Sequence, residues 1–251
     1  MVPRGSASPA FLIAGSGRSG TSAVAKLLHA AGLSVGRDLI EPDAANADGY
    51  FEERAVVAVN ERILRDAGLH AWLSTATRTR VIEAARPHLD DMRALVATAT
   101  PAWKDPRFSW TLEAWLPLLP EPPRVIVCLR SPGEVIASTL RYYGLAGDEA
   151  TRAVEHLWRA QYERLLEVIG DHRLGATCVE YDALHAGAAD ALARLTAFVG
   201  RPLDAAGVRR ELRHHDAPVP PASRALYARV RALSASSTAA PDWKGGAAPS
   251  A

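Results

Sequence analysis

The sequence is poor in cysteine, in lysine and in long apolar runs, and each scarcity excludes a class of protein. Its two cysteines, Cys128 and Cys178, lie in short apolar stretches, so we expect buried free thiols in a reducing compartment and no disulfide framework. No apolar run approaches the roughly 20 residues that a membrane-spanning helix requires. A net charge of +1 over 251 residues provides no basic face for nucleic acid.

Lysine is the rarest of the basic residues, because 29 lysines and arginines include only Lys26, Lys104 and Lys244. The arginine excess indicates a compositional bias, so a lysine retained against it is more informative than one arginine. The contents of 48% hydrophobic and 23% charged residues are typical of a globular protein. One domain of this length buries roughly 70–75% of its unfolded surface and needs no disulfide or metal to fold.

The two ends of the chain differ in composition from the middle. Residues 1–6, MVPRGS, are typical of a cleaved purification tag. Residues 234–251 are mostly Ala, Ser, Thr, Pro and Gly, which predicts a flexible tail; Asp242-Trp243-Lys244 is its one distinctive patch. We therefore predict a single domain over 7–233, and the absence of a signal-peptide pattern predicts a cytoplasmic protein.

Short apolar runs alternate with helical patterns along the middle of the chain. Residues 10–14, 124–129 and 176–181 read as buried parallel strands. Apolar spacing predicts helices after the first strand, before Gly170 and before Gly200. Ser131-Pro132-Gly133-Glu134 has the pattern of a helix start with a capping box. The sequence predicts an α/β fold of three layers with a mainly parallel sheet.

The first strand runs into a glycine-rich loop, Gly15-Ser-Gly-Arg-Ser-Gly-Thr-Ser22, and then into a helix. This order suits a phosphate cradle, because glycines allow tight turns and the N-terminus of a helix attracts anions. The spacing of Gly15, Gly20 and Ser22 is that of a nucleotide-hydrolase P-loop, but Thr21 replaces the lysine of that motif. The cation of the loop is instead Arg18.

The loop resembles the 5′-phosphosulfate loop of sulfotransferases that use 3′-phosphoadenosine 5′-phosphosulfate (PAPS), especially bacterial members with an Arg-Ser-Gly-Thr-Ser sequence. A second motif of that family is similar to the strand that ends at Arg130, with Pro132 and then Ser138 following. Segments 48–52 (DGYFE) and 103–107 (WKDPR) also resemble blocks of these enzymes. The family's Tyr-Glu-Asp-Leu segment matches less well, since Asp182 and Ala183 replace its two acids. The resemblance covers about residues 10–205.

The resemblance implies a P-loop-like sulfotransferase fold and a set of site residues. The residues it assigns to PAPS are Gly17, Arg18, Ser19, Gly20, Thr21, Ser22, Arg130, Ser138 and Tyr181. Within this set, Arg130 and Ser138 would bind the 3′-phosphate, and Tyr181 would reach the adenine. Arg18 would lie beside the transferring sulfuryl group, and Lys104 would contact it.

A general base must remove the proton of the acceptor, and the sequence leaves three candidates. Glu52 is the first choice, because it lies in the Gly-Tyr-Phe-Glu block; Glu41 and His70 are the alternatives. We therefore predict Arg18, Glu52 and Lys104 as catalytic residues. The eight histidines are scattered without the spacing of metal ligands, and the resemblance implies that no metal is required.

These features predict an enzyme that transfers a sulfuryl group from PAPS to a hydroxyl of a small-molecule acceptor, with secondary metabolites among the candidates. Nucleic acid and membranes are not expected partners, and a homodimer stays open. One alternative is a P-loop kinase-like phosphotransferase, which would need a lysine where Thr21 stands and an acid where Arg130 ends the second strand. The other is a nucleotide-binding module that has lost catalysis.

Overall fold

The structure is a computed structural model that describes residues 9–43, 46–69, 75–204 and 217–235. Four features of the sequence lie outside these residues: the expected tag remnant, His70, the Asp242–Lys244 patch and all but the first two residues of the predicted tail.

The centre of the fold is a sheet of four parallel strands in the order β2-β1-β3-β4. The strands are β1 (Phe11–Ala14), β2 (Ala102–Lys104), β3 (Arg124–Leu129) and β4 (Ala176–Glu180). Three of them lie within one residue of the predicted runs. Strand β2 is new. It has only three residues and pairs with β1 alone, so it is too short for a periodic pattern to reveal it.

Helices connect the strands and cover the sheet. They are α1 (Thr21–Ala30), α2 (Arg54–Asp66), α3 (Arg78–Ala85), α4 (Leu89–Val96), α5 (Phe108–Trp115), α6 (Pro132–Tyr143), α7 (Asp148–Asp171), α8 (Tyr181–His185), α9 (Ala189–Val199) and α10 (Arg224–Arg231). Short 3-10 turns cover 86–88, 116–118, 221–223 and 232–235. No helix in the described ranges is long and apolar enough to cross a membrane.

The strands bury both faces, because successive side chains of a strand point to opposite sides. Leu12, Val125 and Val127 join a core with helices α2 to α7 and α10. Ile13 and Ile126 join a second core with α1, α8 and α9. Helices therefore pack on both faces of a parallel sheet, which confirms the predicted three-layer α/β fold.

The start of α6 departs from the predicted capping box. Ser131 is the N-cap and Pro132 follows it, but Ser131 makes no side-chain cap bond. Its Oγ donates to the carbonyl oxygen of Ala217 at 3.5 Å, and the Glu134 carboxylate accepts from Nε of Arg130 at 2.8 Å. A guanidinium binds a carboxylate more strongly than a backbone N–H does. Glu134 therefore pairs with Arg130 and does not cap the helix.

Candidate active site

A cavity of about 1150 Å³, which we call the chamber, opens beside the carboxyl ends of β1, β2 and β3. The glycine-rich loop between β1 and α1 lines it. Gly20 has a φ of +88°, and a Cβ there would lie 2.5 Å from Cδ2 of Tyr181. Gly15 has a φ of +149°, and a Cβ there would lie 2.5 Å from the carbonyl oxygen of Cys128. Both positions therefore require glycine.

The loop delivers the open N-terminus of α1 to the chamber. Gly20 is the N-cap and has no side chain to cap the helix. The first intrahelical bond runs from Val24 N to Gly20 O at 3.2 Å. The N–H groups of Thr21, Ser22 and Ala23 thus have no acceptor inside the helix, and all three residues line the chamber. This helix end can bind an anion with backbone donors and with its dipole.

Tyr162 of α7 holds the base of the loop. Its hydroxyl donates to the Cys128 carbonyl oxygen at 2.6 Å and accepts from the Ser16 N–H at 3.3 Å. Ser19 Oγ donates to the Ser16 carbonyl oxygen at 2.5 Å. Ser19 is only 1% exposed and does not line the chamber, so the structure places its side chain in the framework of the loop.

Arg130 and Ser138 form a second cationic region of the chamber. Arg130 is 6% exposed; its Nε binds Glu134 and its Nη1 lies 3.5 Å from the Arg18 carbonyl oxygen. Its Nη2 is buried and has no hydrogen-bond partner among the described residues. Arg18 donates from Nε to Ser138 Oγ at 3.2 Å. Two arginines and a hydroxyl thus converge, with donor capacity left for a ligand.

Tyr181 lies between the loop and Arg130. The Arg130 guanidinium carbon is 4.4 Å from the centre of the Tyr181 ring, and the His185 ring is 3.8 Å from the same ring. Burial raises the pKa of Tyr181 and lowers the pKa of His185, so it favours the neutral form of both rings. This stack braces the Arg130 guanidinium against the loop.

Glu52 and Lys104 form a buried ion pair beside the N-terminus of α1. The Lys104 ammonium contacts Glu52 Oε1 and also donates to Ser22 Oγ at 3.2 Å and to the Tyr50 carbonyl oxygen at 3.0 Å. The Glu52 side chain is 8% exposed and the Lys104 side chain is 2% exposed. Strand β2 ends at Lys104, so the strand that the sequence did not reveal is the element that positions it.

Burial raises the pKa of Glu52, and the nearby Asp105 carboxylate raises it further. Lys104 and Arg107 oppose this shift with their positive charges; Arg107 Nη1 lies 3.8 Å from Glu52 Oε2. The resulting pKa lies above that of an ordinary glutamate. Such a carboxylate is better matched to proton transfer near neutral pH than an exposed one.

Asp105 organises the hydrogen bonds behind the ion pair of Glu52 and Lys104. It is fully buried and accepts from Asn60 Nδ2 at 2.8 Å and from Arg107 Nη1 at 3.0 Å. Trp115 Nε1 donates to the Asn60 carboxamide oxygen at 2.9 Å. The network fixes the Arg107 guanidinium next to Glu52.

The chamber brings together ten of the eleven predicted site residues. They are Gly17, Arg18, Gly20, Thr21, Ser22, Glu52, Lys104, Arg130, Ser138 and Tyr181. Ser19 lies beneath the loop. Of the alternative bases, Glu41 is exposed and does not line the chamber, and His70 lies outside the described residues.

Sequence reasoning missed several residues that shape the chamber. Asn46 donates to Ser22 Oγ at 3.3 Å, and Tyr142 packs with its ring 4.9 Å from the Arg18 guanidinium carbon. In the sequence, Glu134 fits the position of a helix cap, and Tyr162 lies within a helical pattern. Of the four, only Tyr162 has a local signal in the sequence, a polar group on the buried face of a helix. Among the described residues, no cluster of His, Cys, Asp or Glu is arranged to hold a metal ion.

Comparison with known proteins concerns the family and the fold of the chain. The model of the sulfotransferase family matches residues 9–205. No curated protein matches the chain. A sulfotransferase domain from the Synechococcus PCC 7002 olefin synthase is 17% identical, with 96% of this chain and 99% of that chain covered and a TM-score of 0.50.

A sulfotransferase domain from the curacin biosynthetic pathway is 14% identical, with 89% of this chain and 97% of that chain covered and a TM-score of 0.49. At these identities the comparison with solved structures concerns the fold alone. The family model covers most of the chain and confirms the resemblance that the sequence motifs indicated. The chain belongs to the sulfotransferase family.

Proposed function

We propose that the enzyme transfers the sulfuryl group of PAPS to a hydroxyl of a small molecule. Family membership establishes the class of reaction, sulfate transfer. The observation that carries the choice of donor is the buried Arg130 guanidinium, whose Nη2 has no hydrogen-bond partner among the described residues. A buried charged donor without a partner is costly, so a ligand anion at this position is its natural complement.

The chamber offers two separate anion sites, and PAPS carries two anionic groups. The N-terminus of α1 together with Arg18 suits the 5′-phosphosulfate. Arg130 and Ser138 suit the 3′-phosphate, because a guanidinium fork binds phosphate oxygens well. Tyr181 lies between these two sites and would flank the nucleoside. The donor set in the chamber thus fits PAPS chemically.

PAPS when bound would supply the sulfuryl group, with adenosine 3′,5′-bisphosphate as its leaving group. The Glu52 carboxylate is the base that would take the proton of the acceptor hydroxyl. The Lys104 ammonium and the Arg18 guanidinium would offset the negative charge that develops on oxygen during transfer. Ser22 links the two regions, since its hydroxyl is bonded to Lys104 and its N–H belongs to the open helix end.

The proposed partner is a small molecule rather than nucleic acid or a membrane. One similar solved structure, with a TM-score of 0.50, is a domain of an olefin synthase, which is a biosynthetic enzyme. By analogy we propose a hydroxyl of a secondary metabolite as the acceptor. The chamber volume of about 1150 Å³ has room for PAPS and a second compact molecule.

Transfer of radiolabelled sulfate tests the proposal. The purified protein is incubated with labelled PAPS and a panel of phenols, sugars and aliphatic alcohols, and labelled organic product is separated from free sulfate. We expect product with at least one acceptor class and much slower formation of that product with Glu52→Gln. Binding of adenosine 3′,5′-bisphosphate without any transfer would favour a non-catalytic module, whereas phosphate transfer from ATP would favour a phosphotransferase.

A further inference from the structure

Part of the chamber lining is apolar. The apolar residues Leu64, Leu69, Pro106, Trp110, Val154 and Leu157 come from three regions of the chain. This wall adjoins the catalytic carboxylate, because Trp110 lies one helical turn after Arg107, which is near Glu52. Exposed Tyr142 and Tyr143 also line the chamber and pack edge to face, with ring centres 4.7 Å apart. An apolar, aromatic wall favours an acceptor with a ring system.

A polar side chain lies among the residues that α7 contributes to this wall. Gln161 lies on the inward face of α7 between the apolar positions Leu157, Trp158 and Leu165. It is 8% exposed and lines the chamber. Its Oε1 is buried and has no hydrogen-bond partner among the described residues.

Two polar neighbours of Gln161 on α7 are engaged elsewhere. The Tyr162 hydroxyl donates to the Cys128 carbonyl oxygen, and Arg164 Nη2 donates to the Ala76 carbonyl oxygen at 2.7 Å. Neither side chain serves the Gln161 carboxamide. A buried carboxamide oxygen without a partner costs free energy unless a ligand or water completes its bonding.

We propose that Gln161 is a specificity-determining residue that selects ring-containing acceptors with a second hydroxyl, besides the one that is sulfated. The inference rests on the proposed function and names the substrate class of that site. A hydroxyl both donates and accepts, so it satisfies the carboxamide whichever way the amide group is turned. A single-hydroxyl analogue would leave the carboxamide buried without a partner.

Binding to the complex with adenosine 3′,5′-bisphosphate tests this inference without requiring turnover. The protein saturated with the bisphosphate is titrated with naphthol and with naphthalenediols whose second hydroxyl occupies different ring positions. Quenching of tryptophan fluorescence reports binding, because Trp110 lines the wall. Two variants are compared with the wild type: Gln161→Met, which keeps the size of the side chain, and Glu167→Gln on the exposed side of α7.

We expect at least one diol to bind the wild type about tenfold more tightly than naphthol. Gln161→Met should remove that preference, because it should weaken binding of the diol and leave binding of naphthol unchanged. Glu167→Gln should keep the preference. Bisphosphate affinity should stay unchanged in both variants, which shows that they are folded. The inference is overturned if no diol is preferred or if the preference survives Gln161→Met. If the wild type did not bind the bisphosphate, the proposed function would be overturned instead.

Discussion

The Lys104 ammonium contacts the Glu52 carboxylate inside the protein, 52 residues apart in sequence and beside the open end of α1. The pair joins the end of an edge strand to the segment that leads into α2. Both charges are almost completely buried. This contact places the proposed base and a cation within one small region of the chamber.

Replacement of the base should separate binding from transfer. Glu52→Gln keeps the shape of the side chain and removes its capacity to accept a proton. We expect transfer to slow by about 10²- to 10⁴-fold, with the affinity for adenosine 3′,5′-bisphosphate nearly unchanged. Labelled transfer and bisphosphate titration measure the two effects. Glu41→Gln is the matched control, because Glu41 is an exposed carboxylate away from the chamber lining; normal turnover by Glu52→Gln would refute the assignment.

The pH dependence of transfer should report the raised pKa of Glu52. The base acts when deprotonated, so kcat/KM should rise with pH through a pKa above that of an ordinary glutamate, about 4.3. Lys104 lowers this pKa by its charge. Lys104→Met should therefore slow transfer and move the acid limb to higher pH. An acid limb that stays in place in this variant would contradict the coupling.

The same ion pair has a consequence for stability. Lys104→Met leaves the Glu52 carboxylate buried without its nearest cation, and we expect a loss of about 3–5 kcal/mol in the free energy of unfolding. The double variant Glu52→Gln, Lys104→Met removes both charges and should regain a large part of that loss. Urea denaturation of the wild type, both single variants and the double variant gives the coupling energy. Additive effects of the two substitutions would show that the charges do not interact.

Arg130 should contribute mainly to recognition of the 3′-phosphate. We expect Arg130→Ala to weaken binding of adenosine 3′,5′-bisphosphate by roughly 10- to 100-fold, and binding of AMP far less. Isothermal titration of both nucleotides measures the difference. Arg141→Ala, an exposed arginine on helix α6, which begins two residues after Arg130, should change the affinity for neither nucleotide. If Arg130→Ala weakened the binding of both nucleotides equally, Arg130 would not recognise the 3′-phosphate.

Tyr162 should matter to the loop although it does not line the chamber. Tyr162→Phe removes the bonds to the Cys128 carbonyl oxygen and the Ser16 N–H, leaving two buried groups without a partner. We expect the free energy of unfolding to fall by about 1–3 kcal/mol and bisphosphate binding to weaken. Tyr227→Phe on α10 is the control, since its ring also lies near Trp158. An unchanged denaturation midpoint for Tyr162→Phe would show that the bridge is dispensable.

Local patterns predicted the elements whose sequence signal is local. The apolar runs gave β1, β3 and β4, and the loop was found because glycine spacing, a cation and a following helix coincide in eight residues. Strand β2 escaped because three residues carry no periodicity. The predicted capping box does not form, because the Glu134 carboxylate accepts a hydrogen bond from the Arg130 guanidinium.

Long-range contacts were beyond the reach of these patterns. The bond from Arg18 to Ser138 joins residues 120 positions apart, and Tyr162 reaches Ser16 across 146 positions. Nothing in the spacing of either segment specifies the other. The family resemblance supplied the membership of the site, whereas the pairing of Glu52 with Lys104 and the buried carboxamide of Gln161 required the folded chain.

Titration with adenosine 3′,5′-bisphosphate against ATP and AMP tests the central claim most directly. Each nucleotide is added to the wild-type protein at equal concentration, and the midpoint of thermal unfolding is recorded. A ligand at about 100 times its Kd adds about 2.7 kcal/mol of stability, which raises the midpoint by several degrees. The account predicts this rise for the bisphosphate and a much smaller one for ATP and AMP. Stabilisation by ATP without stabilisation by the bisphosphate would contradict it.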